Sequence, residues 1–222
     1  MKISKQLTDI NSNVALLCFK YQVDVTRDCA ALWAYINNEI ISKIERDYSI
    51  ETLTEQKEIR SARETYRAIG KDPSRYRVSS EALIRRILQG KGLYKVNNVV
   101  DCNNLISIQT GLSCGSYDVD KLVGELTFRI GNNGESYQGI GKDEINIEHL
   151  PVFADSQGAY GSPTSDSRRA MITENTKNVM TVLISFSGVD ILNEYHDIAK
   201  NYLIKFLNAK NVESILVTSG AT

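Results

Sequence analysis

The spacing of apolar residues changes repeatedly along the chain, and each change predicts an element. Val14–Val25 (VALLCFKYQVDV) alternates after Cys18 and is bounded by Asn13, which predicts a strand. Thr26 or Asp28 is placed to cap a helix in which Trp33, Ile36, Ile40 and Ile44 recur at helical spacing, with Lys43, Glu45 and Arg46 off that face. Trp33 therefore reads as a core residue. Thr52 and Glu55 stand in capping-box spacing and predict a helix to Ala68 or Ile69, stopped by Gly70 and Pro73. Its apolar face is thin (Ile59, Ala62, Tyr66, Ile69), and Arg60, Arg63 and Arg67 occupy the other side, so it is expected to lie on the surface. Ser79 or Ser80 opens the next helix. Leu83, Ile84, Ile87 and Leu88 form its buried stripe, Arg85, Arg86 and Lys91 point away, and Gly90 and Gly92 supply the stop.

From Gly124 the period shortens. Gly124–Ile130 reads as a strand running into a hairpin turn at Gly131-Asn132-Asn133-Gly134, since Asn and Gly tolerate positive φ. Further short strands are predicted at Glu135–Gln138, Glu144–Ile147, Val152–Ala154, Arg169–Ile172 and Asn178–Phe186. After a break at Gly188, Asp190–Leu207 is a helix through Ile191, Tyr195, Ile198, Tyr202 and Phe206, and Ser214–Thr218 is a last strand. The order of elements predicts a mixed α/β, α+β-like fold, with helices covering a mostly antiparallel or mixed sheet.

An apolar fraction of 42% over 222 residues is enough for a substantial core in one domain. No 18-residue apolar run occurs, and the N-terminal MKISKQLTDINSN lacks the apolar stretch of a signal peptide, so a cytoplasmic protein with no membrane partner is expected. Cys18, Cys29, Cys102 and Cys114 show no CxxC spacing and read as reduced thiols. His149 and His196 lie far from any paired cysteines, so no metal site is expected. Positive charge is concentrated in one segment. Residues 57–95 hold 11 Lys and Arg against 4 Asp and Glu, a balance of +7 in a chain whose formal charge is −1. Polyanion binding would run through that patch alone; the competing reading is a solvated helix face.

The fingerprints of phosphate-binding cofactor sites are missing. Gly90-Lys91-Gly92 lacks the further glycines of a dinucleotide motif, and Asp143 follows Gly139-Ile140-Gly141-Lys142 where a P-loop needs Ser or Thr, so no cofactor is expected. There is no GxSxG, and His196 reads as a surface or boundary residue. The segment Gly158–Arg168 (GAYGSPTSDSR) gathers Tyr160, Ser162, Thr164, Ser165, Asp166, Ser167 and Arg168 in a short loop. Hydroxyls, backbone N–H groups, a carboxylate and a guanidinium in a small volume suit a zwitterion such as an amino acid. The alternative is a turn-rich connection whose Ser and Asp side chains cap their own backbone.

Val78–Leu88 (VSSEALIRRIL), Gly92–Asp101 (GLYKVNNVVD), Asn104–Asp118 ending in SYD, Val152–Asp155 (VFAD), the Gly-rich loop and Glu174–Val179 (ENTKNV) occur in an order and spacing that resembles the B3/B4 domain of the phenylalanyl-tRNA synthetase beta subunit. The likeness covers residues 56–188 and is nearest to freestanding B3/B4 proteins. Within residues 1–222 it leaves 1–55 as an N-terminal strand–helix elaboration and 189–222 as a C-terminal helix and strand. It implies an α/β fold with a pocket between sheet and helices that receives an aminoacyl group at a tRNA 3′ end. It also favours a helix over Val96–Gln109, which the asparagines Asn97, Asn98, Asn103 and Asn104 leave open on pattern alone.

Two positions depart from the synthetase. By alignment its editing histidine falls on Gly115 and a glutamate on Val182, and its later Thr-Asp-Ala-Ser-x-Arg loop has no clear counterpart. The catalytic residues thus stay unassigned, and substrate-assisted attack of water near Ser162–Ser167 is the economical mechanism. The leading expectation is a protein that binds tRNA or its aminoacyl end, with hydrolysis of mischarged aminoacyl-tRNA in trans as the candidate activity. Arg60, Arg63, Arg67, Arg75, Arg77, Arg85 and Arg86 would then contact phosphates. The competing expectation is a module that binds an amino acid or related metabolite without tRNA. The sequence does not fix the oligomeric state.

Overall fold

A computed structural model describes residues 1–219. The central strand β2 (Ala15–Gln22) lies between β10 (Lys210–Thr218) and β9 (Asn178–Ser185), and β3 (Ser113–Asp118) completes an antiparallel sheet in the order β10-β2-β9-β3. Ala15–Phe19 is buried on both faces, which explains why this strand begins as an apolar run before it alternates. One face (Ala15, Leu17, Phe19, Val179, Leu183) packs under the helices. The other (Leu16, Cys18, Met180, Val182, Ile184) packs on a second sheet. That sheet runs β1 (Lys2–Ile3), β4 (Thr127–Ile130), β7 (Pro151–Asp155), β8 (Gly158–Gly161), antiparallel except for the parallel β1–β4 pair. The layers are therefore helices, sheet, sheet, in the mixed α/β class that the order of elements predicts.

The helical layer holds α2 (Ala30–Tyr35), continued through a π turn at Ile36–Ile40 into α3 (Ile41–Asp47), with α5 (Ser79–Leu88), α6 (Asn98–Thr110) and α7 (Asp190–Leu207). Trp33 is in the core, and its indole N–H donates to Asp101 Oδ2 at 2.8 Å. Helix α6 is buried on nearly every side, which is why its sequence lacks an amphipathic stripe. Its asparagines bind other parts of the chain: Asn98 holds the backbone at Thr26 and Asp24, and Asn103 holds Cys114 O and Ser116 Oγ. Asn97 caps it on Val100 N. Helix α1 (Lys5–Ile10), capped by Ser4, and α4 (Lys57–Ala68) border the second sheet through Leu7, Ala62 and Tyr66.

Several local expectations give way to longer-range bonds. Neither Thr26 nor Asp28 caps α2; Cys29 takes the cap position and Thr26 N donates to Asn98. Thr52 and Glu55 form a 3-10 turn, because Gln56 is extended (ψ 131°), and α4 begins only at Lys57. Ser79 opens α5 as expected, but among the described residues its hydroxyl and that of Ser80 have no hydrogen-bond partner, and the Ser79 N–H bonds Pro163 O at 2.7 Å. Gly131–Gly134 does not close a hairpin: β4 pairs with β7, while β5 (Ser136–Gln138) pairs with β6 (Glu144–Asn146) in a separate ribbon. The strand expected at Arg169–Ile172 is a 3-10 turn at Arg168–Ala170 followed by irregular chain. Three of the four cysteines are buried and all are free, and burial pushes the Cys18 thiol up to about 12, so it is unreactive at neutral pH.

Candidate functional site

The Gly158–Arg168 segment begins as β8 and ends as a loop clamped from three directions. At its base Arg169 grips Asp155 with both Nη groups, at 2.8 and 2.9 Å. Inside it, Ser162 Oγ donates to Ser165 O and accepts from the N–H groups of Thr164 and Ser165. From the helices, Tyr66 OH on α4 meets Thr164 Oγ1 at 2.9 Å, and the start of α5 meets Pro163 O. From the other side comes the β5–β6 ribbon. Ile140 N donates to Asp166 O at 3.1 Å, Arg168 Nε to Gly139 O at 3.0 Å, Lys142 Nζ to Ser165 Oγ at 3.2 Å, and Tyr137 OH to Ser165 O.

Asp166 is the chemical centre. Its Oδ1 accepts from Tyr117 OH at 2.9 Å and from Ser162 N at 3.1 Å. Tyr117 comes from β3 and is fully buried. Its ring fills the space above two glycines: a Cβ at Gly115 would lie 2.4 Å from the phenol oxygen, and one at Gly161 would lie 2.5 Å from both that oxygen and Cε1. Gly115 and Val182 are cross-strand partners in β3 and β9. Gly115 and Val182 thus form one place, which faces the interior between the sheets where this chain puts an apolar side chain and a tyrosine.

The structure brings Ser162, Thr164, Ser165, Asp166 and Ser167 together but gives them unequal exposure. Ser162 and Ser167 are buried and cap backbone N–H groups, Tyr160 is wholly inside the aromatic cluster of Tyr117 and Phe153, and Arg168 is exposed. The N–H groups of Ser162, Thr164, Ser165 and Ser167 already donate within the segment. Sequence reasoning missed Tyr66, Tyr117, Tyr137 and Lys142. The only signals for them were the aromatic of the SYD triplet and the GIGK segment, whose contact with the loop depends on sheet packing.

The arginines divide by burial. Glu81, in the first turn of α5, is 0% exposed and takes Arg63 Nη1 at 3.0 Å and Arg85 Nε at 2.8 Å, with Arg77 Nε at 3.7 Å. Arg63 also donates to Pro73 O and Ser74 Oγ. Arg63 therefore holds α4 to α5, while Arg85 braces Glu81 from within α5. Arg60, Arg67 and Arg75 are exposed, and Arg86 lies against Tyr94. Among the described residues no group of three or more His, Cys, Asp or Glu is placed to hold a metal ion, and no helix is long and apolar enough to cross a membrane.

Burial raises the Asp166 carboxyl to about 6, against the opposing pull of the Tyr117 and Ser162 hydrogen bonds. A raised folded-state pKa means folding prefers the protonated acid. Its stabilising contribution is complete below the ordinary carboxylate value and is lost as pH rises through about 6. Asp166→Asn keeps an acceptor for both donors without the charge. It is expected to stabilise the fold by on the order of 1–2 kcal/mol at pH 7.5, discounted for partial exposure, and to leave it nearly unchanged at pH 4. Urea unfolding at the two pH values checks this; an equal effect at both would remove the charge from the explanation.

A helix-covered antiparallel sheet stacked on a smaller sheet, with a Gly-Ser-Asp loop seated where the two meet, is the setting in which the comparisons with known proteins fall. The chain belongs to the B3/4 domain family, which it matches over residues 61–217, so the match continues through α7 and almost to the end of β10. Its relatives include the phenylalanine–tRNA ligase beta subunits of Malacoplasma penetrans (26% identical over 111 residues) and Tropheryma whipplei (30% over 112 residues). In each case 49% of this chain is covered. The aligned part spans only 14% and 11% of those two proteins. Among solved structures, an N-terminal fragment of the phenylalanyl-tRNA synthetase beta subunit from Pyrococcus horikoshii matches 97% of this chain and 49% of its own length, with a TM-score of 0.48 and 14% identity.

Proposed function

We propose that this protein binds the aminoacyl end of tRNA, with Asp166 receiving the amino group and the outer faces of α4 and α5 receiving the RNA backbone. The observation that carries this reading is contiguity. The Asp166 loop is seated on the two helices that bear the positive charge, through Tyr66–Thr164 at 2.9 Å and Ser79–Pro163 at 2.7 Å. An ammonium group is the natural partner of a half-buried carboxylate that is mostly ionised at neutral pH. The exposed Arg60, Arg67 and Arg75 face solvent near the same loop-bearing helices and suit phosphates.

The second reading, a binder of free amino acids, differs at one residue. A free amino acid presents a carboxylate that Arg168 would have to meet, whereas in an aminoacyl ester that group is already bonded to ribose. Hydrolysis in trans would join a water oxygen to the ester carbonyl carbon and break the bond to the ribose oxygen, which takes the proton. The test is binding and deacylation of a panel of correctly and incorrectly charged tRNAs, including tyrosyl-tRNA of phenylalanine specificity. Charged tRNA is expected to bind at least tenfold tighter than uncharged tRNA, weakening as salt rises. Asp166→Ala should remove that preference and Arg168→Ala should preserve it. Equal affinity for charged and uncharged tRNA would overturn the reading. Thermal stabilisation by a free amino acid that Arg168→Ala abolishes would establish the second one.

A further inference from the structure

Beside α5 the surface holds a cleft of about 350 Å³ that shares no lining residue with the Asp166 loop; it is lined by Arg77, Arg85, Arg86, Gln89, Lys91 and Tyr94, with Ala82 and Leu83 as its apolar part. We propose that this cleft is a nucleotide subsite, in which one phosphate is held by Arg77, Arg85 and Lys91 and one base stacks on Tyr94.

Charge is the first argument. Four cations line the cleft and no acid does. The nearest carboxylate, Glu81, is wholly buried beneath them. It engages Arg85 through Nε alone, and it is 3.7 Å from Arg77 Nε, too far for a hydrogen bond. Among the described residues Arg77 makes no side-chain hydrogen bond, and Arg85 makes none beyond its Nε bond to Glu81. Both terminal guanidinium edges thus carry no bond within the chain, Arg77 with 45% and Arg85 with 20% of its side chain exposed. Three guanidinium groups on a single carboxylate also leave an excess of positive charge that the fold itself does not neutralise.

Shape is the second. Gly90 and Gly92 adopt positive φ (68° and 59°) and turn the chain back along α5, a path open to glycine at little cost. That return places Tyr94 over Arg86, whose guanidinium carbon lies 3.8 Å from the ring centroid and whose Nη2 donates to Lys91 O at 3.2 Å. Arg86 Nε is buried with no hydrogen-bond partner, so the stacked pair is held by the ring face. Tyr94 is nonetheless 58% exposed. A large aromatic ring braced by a cation and left open to solvent is a stacking platform, and bases stack on such rings with little regard to sequence. Cations for phosphate beside a platform for a base match a nucleotide better than a simple anion. The volume lies at the low end of the range for small-molecule sites.

The chemistry is shared by a free nucleotide and by one nucleotide of an RNA strand; only the RNA source rests on the function proposed above. Binding of adenosine 5′-monophosphate, adenosine and inorganic phosphate is measured by calorimetry on the full chain, followed by competition with a short single-stranded RNA ending in CCA. Adenosine 5′-monophosphate is expected to bind at least tenfold tighter than either half alone. Tyr94→Ala, at an exposed position, should weaken it about tenfold with an unchanged melting curve, and Tyr94→Phe should restore it. Equal binding of phosphate and the nucleotide, or a Tyr94→Ala protein that binds normally, would overturn the subsite. Nucleotide binding that the RNA does not compete for keeps the subsite, assigns it to a free nucleotide, and counts against the tRNA reading instead.

Discussion

Glu81→Ala is expected to lower stability by about 3–5 kcal/mol, the range for removing one partner of a buried ion pair. Glu81 is 0% exposed, and its partners Arg63 and Arg85 are only 12% and 20% exposed. Without the carboxylate, two poorly solvated guanidinium groups remain with Arg77 close by, and nothing separates their charges. The penalty is therefore the cost of stranded charge more than the loss of one attraction. The pair also joins α4 to α5, since Arg63 comes from one helix and Glu81 from the other, and Arg63 binds the connection at Pro73 and Ser74. Glu81→Gln retains the acceptor oxygen but not the charge and should fall between. Urea denaturation followed by circular dichroism measures both variants. A loss below about 1 kcal/mol for Glu81→Ala would mean that solvent or another acid replaces the carboxylate.

A single methyl group at Gly161 or Gly115 should cost about 1–3 kcal/mol, the range for overpacking a well-filled core. Neither glycine needs positive φ, so the cost is one of space alone. Tyr117 cannot retreat. Its phenol donates to Asp166, and its ring packs at 5.0 Å from Tyr160 and 5.6 Å from Phe153 between ring centroids. The two positions differ in what the methyl would strike. At Gly115 the nearest atom is the phenol oxygen at 2.4 Å, with Cζ at 2.9 Å; at Gly161 it meets ring carbons at 2.5 and 2.6 Å as well. Tyr117→Phe should therefore recover much of the loss from Gly115→Ala and little of that from Gly161→Ala. A double-mutant cycle at each site reads this directly. Equal coupling at the two sites would show that the ring shifts as a body.

These two clusters also show where sequence reading stops. The bounds of helix α7 were legible, because an amphipathic helix writes its period into the chain, but its buried stripe runs through Leu192, Ala199, Tyr202, Leu203 and Phe206, with the expected Ile191, Tyr195 and Ile198 half-buried at its edge. Strand β2 was legible from its apolar run, although its burial on both faces blurred the alternation. Strand β3 was not, because Ser113, Gly115 and Ser116 carry no strand pattern and are held by pairing with β9. The capping signals at Thr26 and Thr52 misled for a related reason. A hydroxyl near a helix start is a local option, and at Thr26 the hydroxyl turns to Asp28 O while the side chain of Asn98, far along the chain, holds the backbone N–H. The Gly-Ser-Asp loop was visible as an unusual polar cluster with Asp166 in it, but the partner of that carboxylate was hidden. Nothing local ties Asp166 to Tyr117, 49 residues earlier.

The sequence by itself determined the class of fold and the most regular elements, along with the concentration of positive charge in residues 57–95 and the loop chemistry at 158–168. Each of these is written in residue types and spacings over short windows, where periodicity and turn preference act. Tertiary structure alone decided which arginines are engaged by Glu81, that Tyr117 rather than a ligand fills the space above Gly115 and Gly161, and that the Asp166 loop rests on the basic helices. Those outcomes depend on groups dozens of residues apart meeting in a dry, close-packed interior. There an unpaired charge or an extra methyl costs kilocalories, while in the extended chain neither costs anything.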